Sequence, residues 1–107
     1  MGNVYASYNI QPELDVTSSI SFIADNSGYL YRADPNGGTV TLTLPIVSRG
    51  VWFEVFKVSA GVVLFDSSGG ATIRQTDLQI SNLYDRIRVQ MGPGDEWNIE
   101  GVLIPAP

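Results

Sequence analysis

From Thr39 to Leu44 the chain alternates without a break, with Val40, Leu42 and Leu44 apolar and Thr39, Thr41 and Thr43 polar. A period of two sends successive side chains to opposite faces of a pleated strand, so the run predicts a half-buried strand of the kind antiparallel sheets use. A second strand-like run, Val51 to Val58, begins so soon after Pro45 that no helix fits between them. Further strand candidates are Ile20 to Ala24, Tyr29 to Ala33, Val62 to Phe65, Ala71 to Arg74, Leu78 to Ser81, Arg86 to Met91 and Glu96 to Ile104. Turn chemistry separates them: Asp25-Asn26-Ser27-Gly28, Asp34-Pro35-Asn36-Gly37-Gly38, Ser59-Ala60-Gly61, Ser67-Ser68-Gly69-Gly70 and Gly92-Pro93-Gly94-Asp95 supply the glycine and Asx residues that tight turns need.

Short strands at this spacing predict an all-β chain, a compact antiparallel sandwich or barrel-like domain. Residues 1–19 show neither period and read as an extended N-terminal arm, leaving 20–107 as a single β domain. The arm's Tyr5, Tyr8 and Ile10 argue that it is docked, either on its own domain or on a neighbour. Only Asp77 to Leu83 has room for a helical turn. Gly101 interrupts the last strand pattern and predicts a bulge or a close backbone neighbour, while Pro105 and Pro107 withhold ladder donors and blunt an edge.

Alternation also predicts the core: Val40, Leu42, Leu44, Phe53, Val55, Val63, Phe65, Ile73, Ile80, Leu83, Ile87, Val89, Trp97 and Ile99. Trp52 and Phe56 fall on the opposite face of their strand from Phe53 and Val55. A strand that is apolar on both sides needs two covers, the core and either the arm or a second subunit.

Composition narrows the function. A chain of 107 residues is long enough to bury a real core without disulfides or metal. It has no Cys and no His, which removes thiol nucleophiles, the usual zinc sites and the commonest general base. Six cations against eleven anions, a net charge of −5, oppose binding to a phosphate backbone, so no nucleic-acid partner is expected. The longest apolar run, Val62 to Phe65, is far short of the roughly 20 residues that span a bilayer, and the start lacks the charged and apolar regions of an export signal, so neither a membrane partner nor export is expected. Charged residues are 16% of the chain, below the roughly 25% usual for globular domains, while apolar residues stay at 44%. Burial between subunits accounts for both values, as does a monomer surface rich in Ser, Thr, Asn and Gln; the scarcity of large exposed apolar patches in monomers favours an oligomer.

No residue constellation points to a reaction, and no enzyme, cofactor or metal is expected. Val62 to Phe65 followed by Asp66-Ser67-Ser68-Gly69 resembles the strand and Asp-Thr/Ser-Gly of aspartic proteases, but an extra Ser displaces the carboxylate from the two-fold contact where paired aspartates share a proton. The Asp34 and Asp66 loops each offer one carboxylate where a calcium loop gathers several. Asp95, Glu96 and Glu100 lack a partner acid at a glycosidase spacing and read as surface charge. Tyr29, Tyr31, Trp52, Tyr84 and Trp97 are candidates for a sugar-stacking platform, although core and interface duties are commoner. Arg86 and Arg88 share a strand face and are placed to pair with carboxylates of an adjacent strand or subunit.

The order of motifs from Asp34 to Ile99 resembles a recurrent module of tailed-phage virion proteins, found in head-decoration and tail-fibre chains. The matching pieces are Gly38 to Pro45, Gly50 before Phe53 to Val58, Gly61 to Leu64, Gly70 to Ile73, Ile87-Arg88-Val89, and Gly94 to Ile99, in a segment that covers about three fifths of the chain. The resemblance implies a homotrimer. Without repeats, a collagen-like segment or a coiled coil there is no fibre shaft, so it implies a capsid decoration, or cement, protein that bridges neighbouring capsomers from the outer surface of the virion, made in the host cytoplasm, with the major capsid protein as partner. Tyr5, Tyr8, Ile10, Trp52 and Phe56 are the expected capsid or subunit contacts. The alternative is a tail-fibre or baseplate receptor-binding module, which would meet host-surface glycans through Tyr29, Tyr31 and Tyr84.

Overall fold

The computed structural model describes residues 10–107. The chain is all-β, two sheets packed on one core, and the helical segments among the described residues are two single-turn 3-10 pieces at Ala24–Asn26 and Pro93–Asp95. The strands are β1 (Glu13–Val16), β2 (Ile20–Ser21), β3 (Leu30–Ala33), β4 (Thr39–Leu44), β5 (Trp52–Lys57), β6 (Val62–Ser67), β7 (Thr72–Ile73), β8 (Gln79–Ile80), β9 (Arg86–Met91), β10 (Glu96–Glu100) and β11 (Leu103–Ile104). The larger sheet runs β1-β3-β5-β9-β10-β7 and the smaller β11-β8-β6-β4-β2.

From β1 to β8 each successive strand lies in the other sheet, so the chain winds as a flattened coil. Strands two apart therefore return in the same direction and pair in parallel: β1 with β3, β3 with β5, β2 with β4, and β4 with β6. Antiparallel pairing enters at β8 and β9, where β9 joins β5 and then forms a hairpin with β10. The expectation of an antiparallel domain is corrected here to a mixed one. The close spacing of β4 and β5 does exclude a helix, but the segment between them carries the chain across to the other sheet instead of turning it back alongside.

Inward-facing positions meet between the sheets. Phe22 stacks on Phe53 with ring centroids 4.2 Å apart, and Trp97 meets Phe22 edge-on at 5.7 Å. Of the core positions read from alternation, Ile73 is only partly buried and Leu83 is 42% exposed, because it sits in the loop before β9 where period-two reasoning has no strand to act on. Val16, Phe22, Tyr31, Ala33, Ala71 and Met91 complete the core. Within the segment read as an arm, Glu13–Val16 is an edge strand paired with Leu30–Ala33, its Val16 is 2% exposed, and Glu-Leu-Asp-Val carries the alternation in miniature. Gly101 separates β10 from β11 at φ +143°, and a side chain there would collide with Ile87, the close neighbour its position predicts.

Candidate functional site

Each sheet has one face in the core and one turned out, and the two outer faces differ in chemistry. Register sets the composition of each. On the larger sheet, Trp52 is opposite Gln90, Glu54 opposite Arg88 and Phe56 opposite Arg86, with Asn98 and Glu100 beyond them on β10 and Arg32 beside Phe56 on β3. This face is rich in charge and aromatic surface.

Its charges are largely paired within the chain. Arg32 lies 3.3 Å from Asp15 and 3.8 Å from Glu13, and Arg86 lies 3.8 Å from Glu54. Gln11 donates to the Glu54 carboxylate at 2.8 Å and to the Gly28 carbonyl at 3.2 Å, which ties the segment entering β1 onto this face. Arg88 sits over Trp52, its Cζ 4.0 Å from the ring centroid. Gly28 closes the edge of the same indole, where a Cβ would come within 3.7 Å, and its N–H donates to the Trp52 carbonyl at 2.7 Å. Together Ile10, Gln11, Pro12, Trp52, Glu54 and Arg88 border a shallow cleft of about 490 Å³.

The smaller sheet presents a different surface. Thr39, Thr41 and Thr43 of β4 share its outer face with Val62, Leu64 and Asp66 of β6, with Ser21 beside Thr43 and with Gln79 beside Leu64. Ile104 pairs with Gln79 at the edge and is 37% exposed. Asp66 is the single charge among these positions.

The residues singled out from sequence do not gather at one place. Tyr31 is 1% exposed in the aromatic core, where burial pushes its phenol above the ordinary 10.0 against the opposing hydrogen bonds from Asn26 and the Ile23 backbone. Trp97 is fully buried and donates its Nε1–H to the Pro45 carbonyl at 2.8 Å. Neither can stack on a sugar, so Tyr29, Tyr31, Trp52, Tyr84 and Trp97 form no common platform: residue type alone unites these rings, and period two sends Tyr31 and Trp97 inward. Tyr29 is half-buried against the core. Tyr84 is 63% exposed, held at φ +65° and placed 5.9 Å from the Phe56 ring. Trp52 and Phe56 do occupy the outer face, half-buried, with Arg88 and Tyr84 as partial covers from within the chain. Ile10 is 71% exposed at the cleft, and Tyr5 and Tyr8 lie outside the described residues.

The stacking of Arg88 on Trp52 was hidden from sequence reasoning because three strands separate β5 from β9 in the chain. The shared alternation of Trp52-Glu54-Phe56 and Arg86-Arg88-Gln90 is the only signal, and it needs the pairing to become readable. Among the described residues no group of three or more acidic side chains converges as a metal site. No helix there is long and apolar enough to cross a membrane. No protein-family model matches the chain, and no curated protein matches it.

Proposed function

We propose that this chain is a structural protein of a bacteriophage virion, a capsid decoration protein that assembles as a trimer on the outer shell and stabilises the head. The observation that carries the reading is the unequal division of charge between the two outer sheet faces: Arg32, Arg86 and Arg88 work among carboxylates on one, and Asp66 stands alone on the other. A β layer with two broad, chemically distinct faces is suited to joining two different surfaces, a copy of itself and a larger particle. The resemblance from Asp34 to Ile99 supplies the virion context.

Adhesion is then the mechanism. The larger sheet's outer face, with Trp52, Phe56 and exposed Tyr84 set among paired charges, has the mixture of aromatic anchors and polar rim found at protein interfaces. It is the face assigned to the major capsid protein. Three copies of a weak contact gain strength through effective concentration once the first is made. A net charge of −5 limits nonspecific attachment to nucleic acid.

The test is co-sedimentation of the purified chain with bare capsids and, separately, with intact host cells. A decoration protein pellets with capsids and not with cells, and Trp52→Ala with Tyr84→Ala weakens that attachment. Binding to cells alone selects the receptor-binding reading, in which the Trp52 and Arg88 cleft would meet host-surface glycans.

A further inference from the structure

We infer that Arg88 is a socket for a carboxylate side chain of the protein surface to which this chain attaches. The inference rests on the attachment reading above and deepens it by naming the point of contact and the chemical group the partner brings. Three arginines share the larger sheet's outer face, and two are neutralised within the chain, Arg32 by Asp15 and Glu13 and Arg86 by Glu54. Arg88 is different. Glu54 and Glu100 stand opposite it in the two flanking ladders, yet among the described residues no carboxylate is ion-paired with it. Its guanidinium lies over Trp52 instead. Its one side-chain hydrogen bond among the described residues is long, 3.4 Å to the Gln90 Oε1, which leaves most of the guanidinium N–H donors free.

That arrangement is stable in water and unfavourable beneath a neutral partner. Arg88 is half-buried where it borders the cleft with Ile10, Pro12 and Trp52. Covering this face strips water from a guanidinium that has no counter-charge, and an unpaired charge taken out of water strongly opposes binding. A partner must therefore bring an acceptor, and a carboxylate matches the planar donor fork with two parallel hydrogen bonds. The indole also holds the guanidinium at the cleft before any partner arrives, so little side-chain freedom is left to lose.

The cleft favours a protein side chain over an acidic sugar. A sugar ring needs an open aromatic face and acceptors for its hydroxyls. Here Arg88 lies over the indole, Gly28 closes its edge, and the Glu54 carboxylate is engaged by Gln11 at 2.8 Å and by Arg86. What stays open is the guanidinium, with Ile10 and Pro12 as apolar borders of a shallow cleft, which suits one carboxylate on a short stem. Net charge then fixes the position. At −5 the chain repels an acidic surface in general, so such a surface docks best where a cation is uncommitted.

The experiment is quantitative co-sedimentation of the full chain with bare capsids across a salt series. Arg88→Gln removes the charge and keeps a planar polar group, and it should weaken attachment about thirtyfold or more, the scale of truncating one partner of a covered charge pair. Its attachment should also respond less to salt than that of the natural chain, a difference that a purely structural role for Arg88 would not produce. Arg49→Gln makes the same change in net charge from the exposed loop between β4 and β5, and should stay within about twofold of the natural chain. Arg88→Lys supplies a positive reading. Zero-length carbodiimide coupling on the capsid should join position 88 of that variant to a capsid Asp or Glu through an amide, located by mass spectrometry, because Lys57, the natural chain's only lysine, is 6% exposed and adds little background. A folded Arg88→Gln that pellets as the natural chain does would overturn the inference and leave the decoration reading standing, whereas a natural chain that fails to pellet with bare capsids would overturn both. Retention on a glucuronate resin that Arg88→Gln abolishes, with capsid attachment unchanged, would assign the site to an acidic sugar instead.

Discussion

Arg88 sits over the indole of Trp52, although Glu54 and Glu100 are its direct partners in the two flanking ladders. Glu54 is engaged by Arg86 and by Gln11, so the indole face competes well for the remaining guanidinium. A cation over an aromatic ring at a half-exposed site is worth about 0.5–1 kcal/mol.

A double-mutant cycle of Trp52→Ala and Arg88→Ala, followed by urea denaturation, should return a coupling energy of about 0.5–1 kcal/mol. Additive losses would mean that the stack contributes nothing to stability.

The second tryptophan behaves differently. Trp97 is fully buried and bonded to the Pro45 carbonyl, so Trp97→Phe removes ring volume and leaves that carbonyl unpaired. The expected loss is about 2–4 kcal/mol, read as a lower urea midpoint. Leu83→Ala, at an exposed loop position, should cost less than about 0.5 kcal/mol, and a larger loss there would contradict its placement.

Gly61 and Gly50 separate steric from conformational cost. Both have positive φ, +127° and +92°, but a Cβ on Gly61 would lie 2.7 Å from the Gly38 carbonyl oxygen, whereas one on Gly50 meets nothing within 4 Å. Gly50→Ala should cost about 1 kcal/mol. Gly61→Ala should cost at least about 2 kcal/mol more, since backbone must move to admit it. Equal melting points for the two variants would refute the close approach.

Tyr31 predicts an alkaline limit. Burial raises its folded pKa above the ordinary 10.0, so the folded state holds the phenolic proton more tightly than the unfolded chain. That contribution is fully present below the unfolded value and is lost as pH rises through the folded one. Unfolding free energy should therefore fall steeply above about pH 10, and Tyr31→Phe should flatten the fall while losing about 1 kcal/mol at neutral pH with the Asn26 bond. An identical alkaline slope in Tyr31→Phe would assign the effect to other groups.

Some of this molecule was plain in its amino acids. Thr39–Leu44 and Arg86–Met91 are strands with the bounds their alternation predicts, and Phe53, Val55, Ile87 and Val89 are buried as their parity requires. Period two is a local property, and a strand obeys it whatever its neighbours are. β1 escaped notice because four residues carry too little of the period. Phe22 and Tyr31 were missed as core because the first follows a two-residue strand and the second has a polar tip, satisfied here by Asn26.

By itself, then, the sequence determined that this is an all-β chain, which residues turn together along each strand, and which chemistries it lacks. Tertiary structure alone decided which strands are neighbours and in which direction they run, because alternation is the same in parallel and antiparallel ladders. The passage of successive strands from β1 to β9 between the two sheets set most of those pairings. It brought Arg88 to Trp52 across three intervening strands, turned Tyr31 and Trp97 away from solvent, and sorted charged from neutral positions onto separate faces.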